Sequence, residues 1–353
     1  MNSSLYLIKE YFKVMDKDSV RCLLCPRNCV IGRGETGVCH SRMNIDGKFY
    51  SLVYGHPCSI NIDPIEKKPL YHFYPGEDIL SFGTFGCNLF CKGCQNFDIA
   101  RMDDIAYAAK SRDYQSPEDI VDKALQRGIR MIAYTYNEPT IFFEYMLDIA
   151  KLAKKAGIKN VLVSNGYINP EPLKELCRYI DAANIDIKGI SEKVYKEYCR
   201  ADIKPILENI KTMHDSGVWI ELTNLLISGL NDDPKDIKML CEWVKDNVGK
   251  DTPLHFSRFF PYHNALDIKP TPEKSLVRAK DIAIKIGLKY VYLGNIGVLG
   301  NTNCPYCGNL LVDRSFEGIK IVGIKSGNDK SRKVIKKNIS TCSKCGKIIS
   351  GMF

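Results

Sequence analysis

Residues 78–94 read DILSFGTFGCNLFCKGC, and the organisation of the chain follows from this stretch. Its first half is short, apolar and rich in branched and aromatic side chains, the pattern of a buried strand. Its second half is a loop that carries Cys87, Cys91 and Cys94 directly after that strand. Toward the C-terminus, IRMIAYT, IKNVLVS, NIDIK, WIELTNL, PLHFSRF and LKYVYLG repeat the strand pattern. Helix signals lie between them. Ser116 is an N-cap with Pro117 at the first helical position and Gly128 after the last turn, and Asp233 with Pro234 opens a helix ending near Gly249. Alternating strand and helix units predict parallel strands joined by right-handed crossovers, an α/β fold. Seven candidate strands are one short of a closed barrel, so the expected architecture is a partial (incomplete) TIM-like β/α barrel, with small Cys-rich metal-binding segments at both ends. Three units are expected: an N-terminal Cys-rich segment over 1–75, the barrel over 76–300, and a zinc-ribbon or rubredoxin-like unit over 301–353.

A chain of 353 residues that is 45% hydrophobic and 26% charged can bury a sizeable core, which excludes disorder and a disulfide miniprotein. No run approaches the ~18 apolar residues of a membrane span, and the N-terminus alternates apolar with charged residues, so a cytoplasmic protein is expected. Fifteen cysteines cannot all pair as disulfides, and their clustering points to metal chemistry. The net charge of +9 is uneven: residues 314–353 hold 10 basic and 2 acidic side chains, hence +8, which would suit nucleic acid or an acidic protein.

Three cysteine clusters stand apart. Cys304/Cys307 and Cys342/Cys345 are two glycine-terminated knuckles that together can build a tetrahedral S₄ site, for zinc more often than for rubredoxin-type iron. Cys22, Cys25, Cys29 and Cys39 sit in a glycine-rich run, and their thiolate count fits either zinc or an auxiliary Fe-S cluster. Cys87, Cys91 and Cys94 lack a fourth ligand, which suits a [4Fe-4S] cluster with one open iron better than a structural zinc. Cys58, Cys177, Cys199 and Cys241 are isolated and read as small buried hydrophobes.

CNLFCKGC carries the cysteine spacing of the radical S-adenosylmethionine (radical SAM) superfamily, which it resembles. The resemblance implies a barrel of the radical SAM type, a [4Fe-4S] cluster on Cys87, Cys91 and Cys94, and S-adenosyl-L-methionine at the open iron. Family members commonly have an aromatic residue before the last cysteine, near the adenine, where this chain has Gly93. Tyr136-Asn137-Glu138-Pro139 is similar to the Gly-Gly-Glu-type motif of activating enzymes, which implies that Asn137 and Glu138 meet the methionyl amino group; a simple turn is the alternative. Ser164-Asn165-Gly166, Asp186-Ile187-Lys188 and Pro261-Tyr262-His263 resemble segments of pyruvate formate-lyase activating enzyme. On that likeness Ser164 and Asn165 lie at the cofactor, Lys188 pairs with its carboxylate, and His263 contacts cofactor or substrate. CLLCPRNCVIGRGETGVC, DPIEKKPLYHFYPG, HFSRFFP and CPYCG together look like the radical SAM member of the AmmeMemoRadiSam system. That likeness brings a Memo-like protein and an AMMECR-type protein as partners, beside an unidentified substrate.

The chemistry so implied is reductive cleavage of S-adenosylmethionine to methionine and a 5′-deoxyadenosyl radical, which abstracts hydrogen, with electrons from a low-potential donor such as ferredoxin or flavodoxin. The residues that act on the substrate are unknown from sequence. A glycyl-radical enzyme activase is the nearest alternative. A zinc-ribbon protein binding nucleic acid through its basic tail is the alternative of another class, and the same tail, including Lys336 and Lys337, could dock an acidic electron donor. The charged stretch Asp63 to His72 either forms a lid or binds substrate, or is a solvated loop.

Overall fold

The computed structural model describes residues 5–328 and 338–353. Its centre is an eight-stranded sheet: β1 (Ser59–Pro64), β2 (Asp78–Gly83), β3 (Met131–Tyr134), β4 (Lys159–Ser164), β5 (Ala182–Asp186), β6 (Trp219–Leu226), β7 (Leu254–Arg258) and β8 (Val291–Gly294). Each strand pairs with its sequence neighbour; β2 to β8 run parallel, and β1 is antiparallel to β2. β1 and β8 are the two edges, so the barrel is incomplete.

All seven expected strands form at the expected places. Their near-continuous apolar runs have a physical cause: β3 is buried along its whole length, as in sheets covered on both faces. The eighth strand is the difference. SINIDP in β1 is polar and half-exposed, pairs on one side only, and ends in a proline that an edge strand tolerates. It lies within residues 1–75, so the sheet begins inside the segment that sequence assigns to the N-terminal unit.

Six helices of eight residues or more cover the sheet, α1 (Pro117–Gln126), α2 (Phe143–Lys155), α3 (Pro170–Cys177), α4 (Lys204–Asp215), α5 (Pro234–Asn247) and α6 (Glu273–Ile286). α1 starts with a complete capping box between Ser116 and Asp119, and α5 starts where Asp233 accepts from the Lys235 amide. No helix among the described residues is long and apolar enough to cross a membrane.

Before the barrel, two three-stranded antiparallel sheets are built from Tyr6–Leu7, Lys48–Ser51 and Arg42–Ile45, and from Phe12–Val14, Ser19–Cys22 and Val30–Gly32. After it, Thr302–Asn303, Leu310–Ser315 and Gly318–Ile321 form one small sheet, and Ile324–Asn328 pairs with Asn338–Cys342. Lys336, Lys337 and the centre of the basic tail fall outside the described residues.

The stretch from Asp63 to His72 is not a solvated loop: Glu66, Lys68 and His72 are buried. Glu66 meets Arg314 at 3.4 Å with both side chains buried, and Arg314 also donates to the Tyr71 carbonyl at 2.7 Å. His72 binds the Ser350 carbonyl at 2.7 Å and the Tyr292 hydroxyl at 2.6 Å. Glu221 in β6 accepts from the amides of Tyr71 and His72 and from His255 Nε2. Glu66 and His72 therefore fasten the C-terminal unit to the barrel, and the Glu66–Arg314 charges are kept buried because they are paired and hydrogen-bonded.

Candidate active site

Residues at or just beyond the C-terminal ends of all seven parallel strands line one cavity of about 360 Å3. Cys87, Cys91 and Cys94 enter it half-buried from the loop after β2. That loop is fixed from several sides. Phe90 N and Lys92 N donate to the carbonyls of Cys199 and Tyr198 at 2.9 and 3.1 Å, and Asn137 Nδ2 donates to the Gly86 carbonyl at 2.8 Å. Enclosure by the protein pushes the Cys87 and Cys94 thiols up, and Cys91 is raised first by its contact with Cys199 and then by burial. Such thiols ionise when a bound cation compensates them, the behaviour of metal ligands.

Cys199 is therefore not an isolated core residue: its sulfur lies 3.6 Å from that of Cys91. It arrives on the π-helical turn Tyr195–Cys199, whose register no sequence pattern announces.

The same turn explains Gly93. A side chain there would begin 2.6 Å from the Tyr198 hydroxyl and 2.8 Å from a Phe259 ring carbon, so only glycine fits. The Gly93 amide donates to that hydroxyl at 3.1 Å, and the buried Tyr198 faces the cavity. Tyr198 thus fills the space that a side chain at position 93 would enter.

Glu138 is buried, and its Oε1 accepts from Thr140 N, Thr140 Oγ1 and Ser164 Oγ at 2.9, 2.7 and 2.7 Å. Oε2 accepts from Asn165 N alone, at 2.9 Å, which leaves it acceptor capacity toward the cavity. Burial pushes the Glu138 carboxyl up against four donors that favour its charged form. Asn165 Nδ2 reaches Asn88 Oδ1 at 2.9 Å and lies 3.9 Å from Cys87 Sγ. Asn137 accepts from Thr84 N at 3.2 Å. These three side chains tie the loops after β2, β3 and β4 together, so the YNEP stretch is more than a turn.

Lys188 is not solvated. It lines the cavity and pairs with Asp186 at 3.1 Å; burial is the largest influence and opposes its charge, but Asp186, Cys91 and Cys199 together outweigh it and push its pKa up. On another wall, Lys68 pairs with Asp63 at 2.9 Å, and Asp63 also accepts from the Tyr136 hydroxyl at 3.1 Å. Lys67 and Lys68 both line the cavity, a role hidden by the charge density of their segment.

His263 is the residue the structure does not bring in. It stacks on Phe97 at 4.5 Å and borders a separate groove on the far side of the cysteine loop. The remaining cysteines gather elsewhere. Cys304, Cys307, Cys342 and Cys345 place their sulfurs within 4.8 Å of one another, and Cys22, Cys25, Cys29 and Cys39 line a small second cavity.

In comparison with known proteins, the profile of the Radical SAM superfamily matches residues 82–244. An uncharacterized protein of Methanocaldococcus jannaschii is 44% identical over 318 residues, 89% of this chain and 93% of that protein. The pyruvate formate-lyase-activating enzyme of Clostridium pasteurianum is 24% identical over 186 residues, 50% of this chain and 72% of that enzyme. A solved domain of pyruvate-formate lyase-activating enzyme from Bacteroides vulgatus, 23% identical, covers 46% of this chain and 98% of its own with a TM-score of 0.41.

Proposed function

Starting from the fact that this chain belongs to the radical SAM superfamily, we propose that it cleaves S-adenosylmethionine reductively on Cys87, Cys91 and Cys94 and turns the product radical on a substrate held in the barrel. The observation that carries this reading is the meeting of three metal-competent thiols with carboxylate, amide and ammonium groups in one cavity at the strand ends. The donor set fits: three soft sulfurs suit iron of a [4Fe-4S] cluster, and the space beside them leaves a position open. A cluster held by these cysteines would supply the single electron that reductive cleavage of the sulfonium C5′–S bond needs.

The chain's own residues do the rest. Glu138 Oε2 and Asn137 receive the methionyl ammonium, and Lys188 faces its carboxylate. Asn165 and Ser164 hold Glu138 and the Cys87 loop in register, since such supporting bonds fix ligand geometry. Tyr198 takes the place beside the adenine that Gly93 leaves empty. His263 lies outside this cavity and is left out of this set.

The C-terminal cysteines are able to hold a metal, and we assign them zinc in a structural role. A low-potential reductant is required. The second reading, activation of a partner protein by a glycyl radical, is favoured by the likeness to pyruvate formate-lyase-activating enzyme. A partner-borne radical detected by electron paramagnetic resonance supports it, and 5′-deoxyadenosine made without one in the presence of candidate partners rejects it. The primary test is anaerobic reconstitution and assay of 5′-deoxyadenosine with dithionite. Product is expected from the native protein and absent with Cys87→Ala/Cys91→Ala/Cys94→Ala.

A further inference from the structure

Outside the barrel cavity, Cys22, Cys25, Cys29 and Cys39 surround a pocket of about 20 Å3 closed by apolar side chains such as Leu24 and Ile31. One cation reaches it. Arg42 lines the pocket at 1% exposure, and its Nη2 donates to Glu144 Oε2 at 2.6 Å. Its Nε and Nη1 are buried with no protein partner. A buried guanidinium with donors unused is costly; Glu144 Oε1 beside it is also unpartnered, and on the pocket side Cys22 and Cys39 are the groups whose negative charge would stabilise it.

Four thiolates around a metal centre supply that charge. The C-terminal quartet shows how this chain packs sulfurs for a single tetrahedral ion: Cys304 to Cys345 and Cys307 to Cys342 are each 3.7 Å apart, close to the ~3.8 Å that a tetrahedron with 2.3 Å bonds requires. No three sulfurs of the N-terminal quartet, all four of which are among the described residues, come within 4.8 Å of one another in this way. Thiols set farther apart than a single tetrahedral ion requires, beside an apolar lining and an unused cationic donor, suit a core of several atoms, whose sulfides also accept hydrogen bonds.

We propose that Cys22, Cys25, Cys29 and Cys39 hold a second iron–sulfur cluster, distinct from that on Cys87, Cys91 and Cys94, with Arg42 donating to its sulfurs. Its position is close to the first: Asn88 lines this pocket, while its neighbour Cys87 lines the barrel cavity. Thr140 and Ile141, just beyond Glu138, also border it.

The test counts acid-labile sulfide, which a zinc site and a mononuclear iron site both lack. After anaerobic reconstitution, Cys87→Ala/Cys91→Ala/Cys94→Ala is expected to retain about two to four sulfides per chain, according to cluster type. Native protein is expected to carry correspondingly more sulfide than Cys25→Ala/Cys29→Ala. An Arg42→Met variant should move the potential of the retained cluster to a more negative value, since a nearby cation stabilises the reduced form. No sulfide in the first variant, or equal sulfide in native protein and the second, overturns the proposal. Neither outcome depends on cofactor cleavage at Cys87.

Discussion

The C-terminal cysteines and the barrel cysteines offer the same ligand chemistry in opposite arrangements. In the first set, glycine-ended turns at Gly308 and Gly346 bring four sulfurs within 4.8 Å, and no ligand position is left over. In the second, three sulfurs border a cavity of about 360 Å3 beside a buried carboxylate and an ion-paired lysine. A closed set is suited to holding structure, and an open set to binding a reactant. The difference is made by what surrounds the cysteines rather than by the cysteines themselves.

The comparison breaks most sharply through metal removal. Cys304→Ala/Cys307→Ala is expected to cost several kcal/mol of stability in the C-terminal unit, since a structural metal contributes folding free energy directly. The initial rate of cofactor cleavage at low temperature should stay within about twofold; a complete loss of rate in a chain that still melts cooperatively contradicts the division of roles.

Acid sharpens it next. Burial pushes the His72 imidazole down from 6.5 to about 4, so it is neutral where it joins the C-terminal unit to the barrel. The unfolded chain binds the proton more readily, so this contribution is present above about pH 6.5 and is lost as pH falls toward 4, a change of roughly 3 kcal/mol. Thermal melts from pH 7 to pH 4 are expected to show a steep fall that is shallower in His72→Gln. Parallel slopes in the two proteins remove His72 as the cause.

The smallest effect concerns Gly93. Gly93→Phe overfills the space held by Tyr198 and should cost about 1–3 kcal/mol, with weaker cofactor binding. Adding Tyr198→Ala should restore part of both. If the double variant binds S-adenosylmethionine no better than Gly93→Phe, Tyr198 is not the residue that occupies that place.

Much of this was legible in the sequence. Seven strands could be read because buried parallel strands are written as unbroken apolar runs, and the cysteine spacings marked three groups that the structure keeps apart. β1 escaped because an edge strand needs no such run. Cys199 and Tyr198 escaped because a π-helical turn aims them at the cysteine loop across 108 and 105 residues of sequence, and only packing sets that register. Asp63, Glu66 and Lys68 looked like surface charge because composition cannot tell a solvated ion from a buried pair. His263 shows the converse: a motif likeness puts it at cofactor or substrate, but its ring stacks on Phe97 outside the cavity.

The most direct test of the central claim is 5′-deoxyadenosine formation under anaerobic, reducing conditions, measured side by side in the native chain, in Cys87→Ala/Cys91→Ala/Cys94→Ala and in Cys304→Ala/Cys307→Ala. The expected result is product from the first and third and none from the second. Product that persists without the barrel cysteines, or a reconstituted native chain that holds S-adenosylmethionine and never cleaves it, would contradict the assignment of the open site.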